Sequence, residues 1–283
     1  MSDVTLGFKA FDPHELLVHF MAVEAGLYRR ENLNITLTDI TFVADTELPP
    51  DVFQASCGAA LTSAIRGLPQ RVLFVAVDRP MFWIWTQEPV SALAGFRGRR
   101  LATFPVQAPP YNLARVILGQ AGVNADSDVQ LLPARDDVAR IGLLRSGSAD
   151  GAVLSSAVPP ARLTALGLHQ TCFFGDHLRL PTTGLGVDRS MLERDPGLVS
   201  ALTNVHRESL HLIHAEPDRT AAILSGWFGV ETEHASITAE LYASAFTRDG
   251  RTTAEIAEQA IAAIGGALNV TAPPDWRTVY PFD

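Results

Sequence analysis

The chain has 283 residues, 47% of them hydrophobic, with 31 acidic against 22 basic side chains and a net charge of −9. A chain of this length buries roughly 75% of the surface its unfolded form exposes, so one large domain or two modest lobes can form without metals or disulfides. The acidic balance and the lack of any basic tract disfavour a nucleic-acid partner. No run of about 18 apolar residues is present to cross a membrane.

Val4 to Ala10 is an apolar run suited to a buried strand. Asp12 and Pro13 then start a helix expected from His14 to Arg30, with Leu16, Leu17, Phe20, Met21 and Leu27 on its apolar positions. Leu33 to Thr41 alternates as a strand, Val52 to Ala55 is a second inner strand, and Ala59 to Ile65 is helical. Arg71 to Val77 and Met81 to Thr86 are strands rich in Val, Phe and Trp. The same alternation recurs with a strand at Arg99 to Phe104, a helix at Tyr111 to Ala121, a strand at Val129 to Leu132, a helix at Asp136 to Ser146 and a strand at Gly151 to Leu154. From about Asp188 the chain is helical, over Pro196 to Ala215, Pro217 to Phe228, Thr238 to Thr247 and Thr252 to Leu268. Strands alternating with helices at this spacing predict an α/β protein with mostly parallel sheets, in two lobes, with a helical tail packed on the first.

Cys57 and Cys172 form no CxxC and read as free thiols. The first nine residues carry no basic region, apolar core or cleavage site, so the chain as written is expected in the cytoplasm, or outside it if a leader has been removed. No GxGxxG follows a strand, and no Walker loop, HExxH or GxSxG is present, so no cofactor is expected and nucleotide, metalloprotease and α/β-hydrolase chemistry are disfavoured. His206, His211 and His214 suggest a metal cluster, but only the last two share a helical face and no third ligand is evident. No metal site is expected there.

His19 to Leu33 reads HFMAVEAGLYRRENL, which resembles the opening "A-x-x-x-G-hydrophobic-aromatic-x-x-E-x-L" of the nitrate/sulfonate/taurine solute-binding proteins, whose relatives include the thiamine-pyrimidine synthases. Further matches are Ala59-Ala60-Leu61 to Arg66-Gly67-Leu68-Pro69, Leu93 to Ala102 and Leu144 to Val153, in the family's order from residue 4 to about 225. The resemblance implies a type 2 periplasmic-binding fold with a ligand cleft between the lobes. Lobe I would comprise residues 1–88 and 186–283 and lobe II residues 89–185, with crossings near 86–92 and 181–188. The chain lacks the cysteine-rich motif of the thiamine-pyrimidine synthases. It also lacks, at matching positions, the Cys, His and Arg set of the aromatic desulfinases, since His14 stands where their Cys would be. Neither activity carries over.

In open α/β sheets ligands bind beyond the carboxyl ends of the strands, where helix starts present backbone N–H groups. That rule selects the loops Phe11 to Glu15, Ser56 to Gly58, Gln107 to Asn112, and Ser155 with Ser156. Cys57, at a helix start, is a candidate nucleophile with a lowered thiol pKa, or a space-filling thiol. His14 is a candidate base or donor, and Lys9 a cleft cation or a hinge ion pair. Trp83 and Trp85 alternate along one strand, so one stacks on a flat ligand or both pack in the lobe. Tyr111 and Asn112 open a helix in the loop where the resemblance places ligand contacts, with Gln107 before them. Ser155 and Ser156 donate hydroxyls to the ligand or cap a helix. Phe11, Ser56, Gly58 and Thr183 complete the ligand-binding set.

Two functions of different class follow. One is non-catalytic capture of a small anionic or heteroaromatic organic molecule, handed to a membrane permease if the protein is exported. The other is a cytosolic lyase or hydrolase of desulfinase or decarboxylase type, using Cys57 or His14 in a closed cleft.

Overall fold

The computed structural model describes residues 1–106 and 108–281. Strand β1 (Ser2–Phe8) buries Val4 and Leu6 and leads through Asp12 into helix α1 (Pro13–Glu24). The Asp12 carboxylate accepts the Glu15 N–H at 2.9 Å, and Pro13 stands at the first helical position, where its missing N–H loses nothing. The helix expected to reach Arg30 stops early. Gly26 adopts φ +68°, a left-handed conformation, and Leu27–Arg30 forms a separate short helix, α2. Next come β2 (Leu33–Asp39), β3 (Val52–Gln54), α3 (Cys57–Ile65), β4 (Gln70–Val77) and β5 (Phe82–Thr86).

The middle of the chain supplies β6 (Arg100–Thr103), α4 (Pro109–Gln120), β7 (Gln130–Pro133), α5 (Asp137–Arg145) and β8 (Gly151–Ser155). They are followed by α6 (Pro160–Ala165), β9 (His169–Phe173), β10 (Thr183–Asp188) and α7 (Arg189–Arg194). The tail is helical: α8 (Pro196–Ala215), α9 (Pro217–Phe228), α10 (Thr232–Ala245), α11 (Ala254–Ala267) and α12 (Trp276–Val279).

Two five-stranded sheets result, ordered β2-β1-β3-β10-β4 and β7-β6-β8-β5-β9. In the first, β1 runs parallel to β2 and β3, while β10 is antiparallel to β3 and β4. In the second, β6 runs parallel to β7 and β8, while β5 is antiparallel to β8 and β9. Both sheets are therefore mixed, each with four strands running one way and a single antiparallel strand in fourth place.

The chain divides into two units, residues 1–79 with 179–283, and residues 80–178. The boundaries differ from those expected at 88/89 and 185/186. Of the two segments read as crossings, 181–188 contains strand β10 of the first sheet, whereas 86–92 follows β5, the strand of the second sheet that was read at Met81 to Thr86. In the first unit the core is built on Leu6, Leu16, Leu17, Phe53 and Phe74, with α8 laid on α1 and α11 on α3. In the second it is built on Trp83, Ile84, Trp85, Phe96, Leu101 and Leu154. Each such side chain, fully withdrawn from water, stabilises by roughly 1.5–3 kcal/mol. Among the described residues no helix is long and apolar enough to cross a membrane.

Candidate functional site

In the first unit, β1 and β3 end beside each other and feed the helix starts of α1 and α3. His14 is the second residue of α1 and Cys57 the first of α3. Nε2 of His14 lies 2.9 Å from Oγ of Thr182, whose hydroxyl donates to the Val77 carbonyl at 3.2 Å. The hydroxyl thus accepts from His14, which places the ring proton on Nε2 and makes Nδ1 the acceptor nitrogen. Burial pushes the His14 ring down to about 3, so it is neutral near pH 7. The carbonyl of Thr182 accepts the Gly58 amide at 2.9 Å. One residue thereby holds both helix starts.

Gly58 serves this contact. A Cβ there would meet the Pro181 and Thr182 carbonyl oxygens at 3.1 Å. Its amide, expected to face a ligand, is spent on Thr182. The other helix starts are closed in the same way: Asp12 takes the Glu15 amide, Asp136 takes that of Ala139, and the Ala108 carbonyl takes that of Tyr111.

Glu15 accepts the amides of Lys9 and Ala10 at 2.8 and 3.0 Å, one on each carboxylate oxygen. Burial and the neighbouring Asp12 charge, opposed by those amides, push its carboxyl up to about 8. Cys57 is fully buried, and its thiol is raised above the ordinary value by burial and then by the charges of Glu15 and Asp78. The lowering expected from the α3 dipole is overruled, because a thiolate there would lose its hydration and face two carboxyl groups. Tyr280, from the far end of the chain, is buried close enough to Cys57 for the two to interact electrostatically.

The remaining predicted residues of this unit are placed as follows. Nζ of Lys9 pairs with Asp45 at 3.2 Å, and Asp45 also accepts the Ser63 hydroxyl at 2.7 Å, so the lysine ties the end of β1 to α3. Phe11 is 53% exposed and packs edge-on against Phe8 and Phe20, with Phe228 tilted beside it, 5.7 to 5.8 Å between ring centres. Ser56 is half-buried at the N-cap of α3 and makes no side-chain cap bond. Thr183 is buried opposite Val77, its hydroxyl without a partner.

In the second unit Trp83 is buried and stacked on Phe173, ring centres 4.9 Å apart. Trp85 is buried as well. Tyr111 and Asn112 lie half-buried in the first turn of α4. Ser155 and Ser156 are buried at the end of β8, and Ser155 gives both its amide and its hydroxyl to Asp137. Gln107 lies outside the described residues. Asp137 also holds Arg140 at 2.6 Å, an arginine only 1% exposed.

Sequence reasoning missed Thr182, Asp78, Tyr280 and Arg140 as members of these clusters. Glu15 was legible, because Asp12 followed three residues later by Glu is a helix-start signature. His206 hydrogen-bonds to Tyr28 and His214 to the Thr247 carbonyl, and among the described residues no group of three His, Cys, Asp or Glu side chains is placed to hold a metal. A cavity of about 330 Å³ lined by Asp3, Thr5, Asp51, Phe53, Arg194 and Asp195 contains none of the predicted residues.

Two α/β units with mixed five-stranded sheets are the architecture of the type 2 periplasmic-binding fold. Residues 16–220 match the NMT1/THI5-like family, and the chain belongs to it. None of the curated proteins matches it in sequence. Among solved structures it is similar to the periplasmic aliphatic sulphonate binding protein SsuA of Escherichia coli, at 14% identity and TM-score 0.76 over 99% of this chain and 92% of that one. The alkanesulfonate-binding protein SsuA of Xanthomonas axonopodis pv. citri, bound to MOPS, superposes with TM-score 0.74 at 14% identity over 99% and 96%. The desulfurization enzyme DszB does so with TM-score 0.71 at 15% identity over 95% and 94%. The fold and the solute-binding family are those that the sequence motifs implied.

Proposed function

We propose that the protein captures a small organic molecule bearing an anionic or strongly hydrogen-bonding group, at the loops beyond the carboxyl ends of its parallel strands, and releases it unchanged. The observation that carries this is the knot at Thr182, where the starts of α1 and α3 are locked together beside a neutral His14. Such a knot holds the loops around it in one arrangement, and preorganisation lowers the entropic penalty of binding. Family membership and the likeness to sulfonate-binding proteins support an organic anion as the ligand class.

The rival is catalysis on the same scaffold, favoured by the likeness to a desulfurization enzyme. A thiol pushed upward by burial and by Glu15 works against Cys57 as the attacking group, which leaves His14 as that reading's base. Delivery to a membrane permease is the finer form of the capture reading, and fractionation of the source cell tests it.

A thermal-shift screen of sulfonates, carboxylates and pyrimidines decides the main point. A ligand at a hundredfold excess over its Kd adds about 2.7 kcal/mol to stability. At least one class should raise the Tm and be recovered intact. A screen in which no class shifts the Tm refutes capture, and recovery of a transformed compound moves the protein to the enzyme class.

A further inference from the structure

A sheet edge offers a row of backbone amides and carbonyls to any strand that comes near, and folded proteins block such edges. Three of the four edges in the two sheets are blocked. At β4 the Gly250 carbonyl accepts the Val75 amide and the Thr247 amide donates to the Ala76 carbonyl, so the segment from Phe246 to Gly250 covers the strand. β7 has only four residues and ends in Pro133. β9 has five, and its register with β5 skips Thr171, which bulges it. β2 has none of these devices. It runs for seven residues, Leu-Asn-Ile-Thr-Leu-Thr-Asp, without proline, lysine, arginine or a break in its register with β1. Among the described residues β1 is the only strand that pairs with it.

The ladder with β1 fixes which backbone groups stay open. The Ser2 amide donates to the Asn32 carbonyl and the Ile40 amide to the Phe8 carbonyl, so the even-numbered residues of β2 turn their backbone groups to β1. The amides and carbonyls of Leu33, Ile35, Leu37 and Asp39 therefore point away from the sheet. Side chains alternate as well: Leu33 is buried and Ile35 and Leu37 are half-buried on one face, while Asn34, Thr36 and Thr38 are exposed on the other. Such a strand complements itself. Turned antiparallel about a twofold axis at Thr36, it sets Ile35 against Leu37 of a second copy and Leu33 against Asp39, and every outward amide and carbonyl finds a partner. On the polar face Thr36 meets Thr36 and Asn34 meets Thr38. Charge agrees with this register. Asp39 is the only charged residue of β2, so no like charges are opposed, although the chain carries a net −9. Asp39 would lie at the amino end of the second copy's β2, which follows α2, where the exposed Arg29 has no ion pair among the described residues.

The geometry points to β2 as a self-association edge: a second copy of the chain pairs antiparallel with it and continues the first sheet across a twofold axis. An edge of this length covers less than the roughly 800 Å² per partner of a standard interface, so association is expected at micromolar concentration. Pairing at β2 does not depend on what the protein captures.

Sedimentation velocity of the whole chain, from low to several hundred micromolar, tests the pairing. Wild type should move from its monomer mass of 30.5 kDa toward twice that as concentration rises. Thr36→Lys, at an exposed position, puts two like charges across the axis and should keep the Tm yet stay monomeric throughout. Thr36→Cys reads the register directly, because opposed residues between the hydrogen-bonded pairs bring their Cα atoms to about 4.5 Å, within reach of a disulfide. Mild oxidation should link it into a covalent dimer, with the buried Cys57 and Cys172 taking no part. Asn34→Cys, whose twin lies opposite Thr38, should not link. A wild type that is monomeric at every concentration overturns the pairing, even if some other protein proves to occupy the edge. A dimer that survives Thr36→Lys, or Asn34→Cys linking as fast as Thr36→Cys, overturns it as well. If Thr36→Lys fails to fold, the two cysteine variants decide alone.

Discussion

His14 and Thr182, 168 positions apart, are joined by a 2.9 Å hydrogen bond from the imidazole Nε2 to the threonine hydroxyl. The pair is more than a local contact, because Thr182 also accepts the Gly58 amide and donates to Val77, gathering α1, α3 and β4 at one residue. Thr182→Val removes the hydroxyl and strands a buried ring N–H, which costs about 1–3 kcal/mol. Thr182→Ser keeps the hydroxyl and should lose less than half of that. Urea unfolding of both variants checks the assignment, and a Thr182→Val protein as stable as wild type would remove Thr182 from its central position.

Gly58→Ala tests the same junction from the opposite side. The added methyl would press on two backbone oxygens at 3.1 Å and on the Thr182 Cα at 3.2 Å, none of which is the tip of a flexible side chain. Relief requires the Pro181–Thr182 segment to withdraw, lengthening the Gly58 to Thr182 bond. Overpacking of this kind costs about 1–3 kcal/mol. Alanine normally favours a helix over glycine, so a stabilised Gly58→Ala would mean that helix propensity outweighs the close approach.

The two cysteines should be unreactive in the native protein. Burial and two nearby carboxyl groups raise the Cys57 thiol, and burial with Asp176 pushes Cys172 up to about 12. Since the thiolate is the nucleophile, neither should react with a disulfide reagent at pH 8 until denaturant is added, when both should titrate. One equivalent of fast native reaction mapping to Cys57 would revive it as a catalytic group.

Much of the fold was legible because its punctuation is strong. Pro196 and Pro217 each open a helix whose observed bounds equal those read from the sequence, and the Asp12-Pro13 start of α1 was equally plain. The misses have physical causes. β10 reads Thr-Gly-Leu-Gly-Val-Asp, where two glycines and the expectation of a crossing concealed a strand, and β9 begins with polar His169 and Gln170. Arg140 stands in the charged run Ala134-Arg135-Asp136-Asp137, Val138, Ala139, Arg140, where nothing local distinguishes the one arginine that folds inward. Thr182 was overlooked for its neighbour Thr183 because its partners come from residues 14, 58 and 77. Site residues defined by long-range partners leave no periodic trace.

Stability should pass through a maximum near pH 6.5. In the first unit the Tyr28 hydroxyl bridges His19 Nδ1 at 3.0 Å and His206 Nε2 at 3.2 Å, deep in the packing of α1, α2 and α8. Burial depresses His19 to about 4 and, with the repulsion of His19 added, His206 to about 3. His14 is likewise depressed to about 3 by burial. Below 6.5 the unfolded chain takes up protons at these three positions while the native chain does not, so their contribution is complete above 6.5 and is lost as the pH falls toward 3 to 4. Glu15 acts in the opposite sense. With its carboxyl raised to about 8, the native state holds a proton that the unfolded chain has released, and stability declines as the pH climbs from 4.5 to 8. Between 4.5 and 6.5 the histidines prevail by a net of about two protons, a slope of up to about 3 kcal/mol per pH unit. Above 6.5 only Glu15 remains, with a gentler fall of up to about 1.4 kcal/mol per unit. Urea titrations at pH 4.5, 5.5, 6.5 and 8 resolve the two limbs, and a free energy that stays level or rises on acidification from 6.5 to 4.5 would contradict the neutral, buried state assigned to the three rings.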